Sequence, residues 1–296
     1  MTITDRLAGA APRGAPWPAL ALTLNAFVGG VSWWPFRQLE ALGLHPLWAT
    51  ALIYTVAVLA ITLWRPAAWR QLLGAPSLWW LVLAAGATNA TFNWGVTVGD
   101  VVRVVLLFYL MPLWAVLLAR ALLGEALTAA AMLRVAMALA GAAIVLWPVD
   151  GGLPLPRTLA EGLGVLGGFS FALNNVLLRR EAHQPEAARA LAMFLGGAVV
   201  AGAVAMAAPG VVLPPPPSPL WVAGALVMAV AFLASNLALQ YGAARLPANV
   251  TAVVMISEVL FAAVSSVLLG AGSVTVPLLA GGALIVGATL LSTRSR

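Results

Sequence analysis

The sequence predicts an all-α membrane protein of ten transmembrane helices, arranged as two inverted five-helix repeats around a central cavity. Composition, long uncharged runs and self-similarity between the two halves carry that prediction. Of 296 residues, 62% are hydrophobic and 8% charged, against about 25% charged in an ordinary soluble domain. A soluble fold of this length needs a polar surface, and the chain lacks the residues to make one. No residue from Pro18 to Phe36 is charged, and from Leu246 to Thr293 the one charge is Glu258. Uncharged runs of about 18 or more residues read as spanning helices, because about 20 residues rising 1.5 Å each cross the hydrocarbon. An outer-membrane barrel would alternate apolar and polar residues in segments of about ten. Nothing here alternates.

The apolar runs place spans near 17–36, 46–64, 78–98, 102–122 and 129–147, then near 161–179, 188–208, 219–241, 248–269 and 275–292. The chain divides into a tail (1–16), a first five-helix repeat (17–147), a connecting loop (148–160), a second repeat (161–292) and a tail (293–296). Short connections predict antiparallel neighbours in one bundle. The stretch Pro209 to Pro219 contains Pro214 to Pro217, a stiff uncharged loop. No small-residue cleavage site follows the first apolar run, which reads as a retained span rather than a signal peptide. Pro35 and Pro112 are expected to kink or end helices 1 and 4, where freed backbone groups border a cavity or pack.

All 15 basic residues are arginine. With the N-terminus inside, Arg6, Arg13, Arg65, Arg70, Arg120, Arg134, Arg179, Arg180, Arg189, Arg245, Arg294 and Arg296 fall on the cytoplasmic side, and only Arg37, Arg103 and Arg157 fall opposite. This positive-inside bias places both termini in the cytoplasm of a multi-pass protein of a bacterial inner membrane. The arginines are dispersed over turns, so the high pI does not read as a nucleic-acid surface. The chain has no cysteine, which removes disulfides, thiolate metal sites and cysteine nucleophiles together.

The halves resemble each other. Asn89, Asn93, Trp94 and Gly95 recur at the same spacing as Asn236, Gln240, Tyr241 and Gly242, and Pro112 to Gly124 aligns with Glu258 to Gly270, both ending Leu-Leu-Gly. Five is odd, so two such repeats have opposite orientations. Inverted repeats characterise many secondary transporters, whose substrate sites lie near the midplane between them. The fourth-helix pattern Pro112, Leu123-Gly124-Glu125 and Thr128, followed by a glycine-containing fifth helix, resembles the drug/metabolite transporter superfamily of ten-helix EamA-type exporters. Glu258 stands where the second half would carry the proline, and Ala271 where it would carry the post-glycine glutamate. Over its length the chain looks most like the aromatic amino-acid exporter branch. That resemblance implies export of aromatic and other neutral amino acids through a cavity lined by helices 1, 3, 4, 6, 8 and 9.

Polar residues inside spans are costly and face the bundle interior. Asn89 and Asn93 share a face of helix 3, with Phe92 beside them, and Asn236 and Gln240 share a face of helix 8 with Phe232. Helix 6 pairs Ser170 with Asn174, and helix 1 carries Asn25, Gly29, Ser32 and Trp33. Amides bind both carboxylate and ammonium, and aromatic rings enclose an apolar side chain, a combination that suits a zwitterion. Helix-to-helix hydrogen bonding is the plainer reading of each amide, worth about 0.6 kcal/mol on average. Glu258, near the middle of helix 9 with Thr251, Met255 and Ala262 on its face, costs roughly 2.5–3.5 kcal/mol to insert. It therefore needs a partner, water or a proton. The candidate cavity set is Asn25, Trp33, Asn89, Asn93, Tyr109, Ser170, Asn174, Asn236, Gln240 and Glu258.

The sequence implies no cofactor, no metal and no catalytic set. His45 and His183 fall in loops on opposite sides, and Asp5, Asp100 and Asp150 lie away from span centres. No G-x-x-x-x-G-K-[ST] motif for direct ATP coupling occurs, nor rings of charge for an ion channel. The expected partners are a small-molecule substrate and the lipid bilayer, with no nucleic acid; monomer and dimer both stay open. Efflux of lipophilic cations is the alternative that Glu258 keeps, and a membrane receptor or scaffold is the non-transport alternative.

Overall fold

The computed structural model describes residues 17–124, 128–145, 147, 155–243, 254, 257–271 and 275–292. The two tails, most of the 148–160 connection, and Thr251 and Met255 of the ninth expected span lie outside the described residues. Among the described residues the chain is helical throughout, with no strand. In chain order the helices are α1 (Trp17–Val31), α2 (Trp33–Ala41), α3 (Pro46–Trp64), α4 (Ala67–Leu73), α5 (Leu78–Val98), α6 (Val101–Phe108), α7 (Met111–Leu123), α8 (Ala129–Val145), α9 (Leu159–Arg180), α10 (Glu186–Ala207), α11 (Pro219–Ala243), α12 (Ser257–Leu268) and α13 (Val276–Ser292).

Among the described residues six stretches are long and apolar enough to cross a membrane: Trp17–Ala41, Pro46–Trp64, Val101–Leu122, Leu159–Leu178, Glu186–Ala207 and Pro219–Leu239. Leu78–Val98, at 21 residues, has the length but interrupts its apolar run with Thr88, Asn89, Thr91, Asn93 and Thr97. Shorter apolar helices occupy Val135–Val145, Ser257–Leu268 and Val276–Ala288.

The first span is longer than its uncharged run. It extends to Ala41, carrying Arg37 and Glu40 in its last turns. Arg37 is accommodated because its guanidinium serves the end of α5: Nε donates to the carbonyl of Thr97 at 2.9 Å, and Nη2 donates to the carbonyls of Val96 and Gly99. It also lies 5.0 Å from the ring centre of Trp33, a cation–π contact. Just past this span, His45 caps α3, its Nδ1 accepting from the Leu47 N–H at 3.2 Å.

Two spans are broken, and in each the first helix ends four residues before a proline. The turn between α1 and α2 falls at Ser32, and Pro35 has no N–H to offer the Val31 carbonyl. The turn between α6 and α7 holds Tyr109 and Leu110, and Pro112 has none for the Phe108 carbonyl. A proline's missing donor and its clash with the preceding turn explain both breaks.

Helices of the first half pack chiefly on helices of the second. α1 lies on α11 and α12, α3 on α10, α5 on α9 and α10, α6 and α7 on α9, and α8 on α13. Glycines set several of these crossings. A Cβ on Gly196 of α10 would lie 2.1 Å from the Val82 carbonyl oxygen of α5, so the backbones touch there as small-residue membrane crossings do. At the α8–α13 crossing the contact is reciprocal: a Cβ on Gly141 would lie 2.6 Å from the Gly281 carbonyl oxygen, and one on Gly281 would lie 2.5 Å from that of Gly141.

Candidate functional site

Both helix breaks border the half-buried Glu258 of α12. Gly29 and Gly30 leave α1 bare on the side facing α12. A Cβ at Gly30 would lie 2.6 Å from the backbone oxygen of Glu258 and 2.8 Å from Phe261 Cβ, while one at Gly29 would lie 2.6 Å from Glu258 Oε1. The carboxyl therefore rests on a side-chain-free surface of α1. From the other break, the Tyr109 hydroxyl donates to Glu258 Oε2 at 3.1 Å. Seven residues along α12, Ser265 Oγ accepts from Trp33 Nε1 at 2.9 Å. Tyr109 and Trp33 are buried, whereas Glu258 keeps intermediate exposure. Among the described residues no arginine or histidine lies within ion-pair distance of it. The site is a carboxyl held by one phenol, with part of its side chain open.

Aromatic rings wall the Tyr109 side. Phe108 stands 6.1 Å from Tyr109, 4.7 Å from Phe92 and 5.2 Å from Phe171, centre to centre. A second glycine pair admits Phe108: a Cβ at Gly168 would lie 2.4 Å from its carbonyl oxygen, and one at Gly167 would lie 3.1 Å from its ring. The sequence reading passed over this feature. Gly29-Gly30-Val31-Ser32 and Gly167-Gly168-Phe169-Ser170 are one Gly-Gly-x-Ser motif, once in each half. Each lets a helix backbone approach the site.

The structure thus brings together Trp33, Tyr109 and Glu258. Three of the amides, Asn25, Asn89 and Asn93, bond to neighbouring helices instead. Asn25 Nδ2 donates to Ser235 Oγ at 2.7 Å and to its carbonyl at 3.1 Å, joining α1 to α11. Asn89 Oδ1 accepts from the Tyr54 hydroxyl at 2.6 Å, and Asn93 Nδ2 donates to Thr50 Oγ1 at 3.1 Å. The polar face of α5 is therefore tied to α3, the second span, which the sequence reading left out of the cavity lining. Ser170 and Asn174 are buried, and Asn174 Oδ1 has no hydrogen-bond partner among the described residues. Asn236 is half-buried, and the side chain of Gln240 lies outside the described set. The face of Glu258 is not an open stripe along α12, because Ala262 is buried under Gly30. Among the described residues no group of three or more His, Asp or Glu side chains is placed to hold a metal ion.

At the arginine-poor end lies a second polar feature. A cleft of about 510 Å³ is lined by the C-terminal end of α5, by Asp100, Arg103 and Val104 of α6 and its cap, and by Thr158 to Glu161 of α9. Arg103 Nε lies 2.7 Å from Glu161 Oε1. The other carboxylate oxygen accepts from the N–H groups of Arg157 and Thr158, while Thr158 Oγ1 accepts from the Glu161 N–H. That exchange is a capping box, which the spacing Thr-x-x-Glu announces.

Comparison with known proteins agrees with this architecture. Residues 16–147 match the model of the EamA-like transporter family. The match falls within the first half of the chain. With the membrane-length helices, this match supports the drug/metabolite transporter superfamily and a multi-pass membrane transporter of small molecules. No curated protein matches the chain. A solved crystal structure is similar in fold over 94% of this chain and 96% of its own, at 20% identity and a TM-score of 0.57.

Proposed function

We infer that the chain is a secondary transporter exporting aromatic and other neutral amino acids across a bacterial inner membrane by alternating access. The observation that carries this reading is Glu258: a carboxyl bonded by Tyr109, beside two helix breaks and an aromatic wall. A carboxylate there receives a solute ammonium, and Phe92, Phe108 and Phe171 suit an apolar or aromatic side chain. Trp33, Tyr109 and Glu258 are the proposed contact group. Ser170 and Asn174 supply further polar contacts, and Asn25, Asn89, Asn93, Asn236 and Gln240 belong to its polar surround.

Ten spans in two inverted repeats are part of this reading, and three features support it. Exchanging the halves turns the α5–α9 packing into α11–α1, α5–α10 into α11–α3, and α6/α7–α9 into α12–α1, all of which occur. Gly95 and Gly242, paired by sequence, both face the first turn of the helix they cross: a Cβ would meet the Ala160 carbonyl oxygen of α9 at 3.5 Å, an ordinary contact, and the Pro18 carbonyl oxygen of α1 at 2.7 Å. Gly141 and Gly281 cross reciprocally. Carriers of this kind hold their substrate at the midplane, beside discontinuous helices.

Counterflow in proteoliposomes tests the function. Labelled aromatic amino acids should exchange saturably, and lipophilic cations should compete poorly. A specific observation favours the second reading, efflux of lipophilic cations: the amides of α1 and α5 are bonded to neighbouring helices, leaving a carboxyl among aromatic rings. Saturable exchange of cations alone would establish that reading, and exchange of neither class would end both. The orientation has its own check. A cysteine at position 183 should resist an impermeant thiol reagent applied from the periplasm; labelling from that side would reverse the topology.

A further inference from the structure

We propose that the Arg103–Glu161 ion pair is a latch holding the arginine-poor, outer mouth of the transporter closed. The inference rests on the alternating-access reading but not on the identity of the solute. The pair joins the first turn of α6 to the first turn of α9 at 2.7 Å, bordering the cleft of about 510 Å³. Below it the two helices are in backbone contact: a Cβ on Gly164 would lie 2.9 Å from the Val104 carbonyl oxygen. Opening this mouth separates α6 from α9, and separation must break the pair.

Both partners are fixed in advance. Asp100 Oδ1 accepts from the backbone N–H of Arg103 at 2.9 Å, and the N–H groups of Arg157 and Thr158 hold the Glu161 carboxylate. Glu161 keeps one oxygen for its cap and offers the other to Arg103, so breaking the latch leaves α9 capped. With the Arg103 side chain 34% exposed and that of Glu161 9% exposed, water can reach the arginine on opening. The latch is also one-sided. The register that pairs Pro112 with Glu258 pairs Arg103 with Asn249, and the Gly-Gly-x-Ser register pairs Glu161 with Thr23. Neither counterpart residue is charged. An ion pair at one mouth of a repeat-symmetric carrier biases the resting protein toward the other opening, the cytoplasmic one, where an exporter loads.

The test needs no solute. Val104, buried beneath the pair, is replaced by cysteine in the otherwise cysteine-free chain. An impermeant thiol reagent is applied from outside, and thermal unfolding is followed in parallel. Adding Arg103→Gln should raise the labelling rate up to about five-fold, the population shift expected from losing one partly exposed ion pair. Arg103→Lys should restore most of the protection. In Val104→Cys alone, high salt should speed labelling by screening the pair, and in the Arg103→Gln background salt should have no effect. Unchanged labelling in Arg103→Gln, or in salt should that variant not fold, overturns the latch. Altered labelling without counterflow of any solute would instead keep the latch and remove the transport reading.

Discussion

Replacing Glu258 by glutamine should leave the fold intact and remove transport or its dependence on pH. Glutamine keeps the length, the planar end and an acceptor for the Tyr109 hydroxyl, now 3.1 Å from Oε2, and loses only ionisation. Within the span a charged carboxyl costs roughly 2.5–3.5 kcal/mol on insertion scales, and no cation faces this one among the described residues. The side chain therefore has no electrostatic role in folding that glutamine would fail to fill. A role toward a solute ammonium or a proton does depend on ionisation. Initial counterflow rates at matched protein levels should fall at least about ten-fold, the equivalent of one lost charge-assisted contact, or become flat with pH. Tyr109→Phe should show a weaker version, since it removes one hydrogen bond and leaves the carboxyl. Superimposable rate–pH curves for the wild type and Glu258→Gln would make Glu258 a structural residue.

Much of the helical framework was legible because membrane insertion is a local property. Each span needs only its own run of apolar residues, and the helix breaks could be read from Pro35 and Pro112. The end of the first span was less legible. Arg37 looks like a span boundary until the open carbonyls of Val96, Thr97 and Gly99 are placed beside it. The amides illustrate a different limit. An i, i+4 pair such as Asn89 and Asn93 shows that one side of a helix is polar, but not which helix it meets. Here the partners are Tyr54 and Thr50 of α3. Likewise Thr158-x-x-Glu161 announces a cap, yet the partnership with Arg103 is a tertiary fact. Glycine was the more informative signal. The Gly-Gly-x-Ser motif in each half marks where α1 and α9 admit a neighbouring backbone, and it frames the break that carries Tyr109.

The adjacent glycines of α1 should separate fold from function. Alanine at Gly30 would place a methyl group 2.6 Å from the backbone oxygen of Glu258 and 2.8 Å from Phe261 Cβ. Neither atom can move without shifting α12, so Gly30→Ala should destabilise the protein by the about 1–3 kcal/mol typical of overpacking. Alanine at Gly29 would meet Glu258 Oε1 at 2.6 Å and Cδ at 3.1 Å, the far end of a flexible side chain. A rotation of the glutamate relieves that contact, and alanine in a helix interior gains up to about 1 kcal/mol over glycine. Gly29→Ala should therefore unfold at the wild-type temperature or above it. Its carboxyl, however, is pushed off the α1 surface and away from the Tyr109 hydroxyl, so counterflow should drop as steeply as in Glu258→Gln. The two losses should not add in the double variant, because both act through one carboxyl. Thermal unfolding and counterflow on the two single variants decide the matter. Equal loss of stability in both would mean that α1 and α12 meet as one rigid surface. Normal transport in a stable Gly29→Ala would show that the placement of the Glu258 carboxyl does not matter to the carrier.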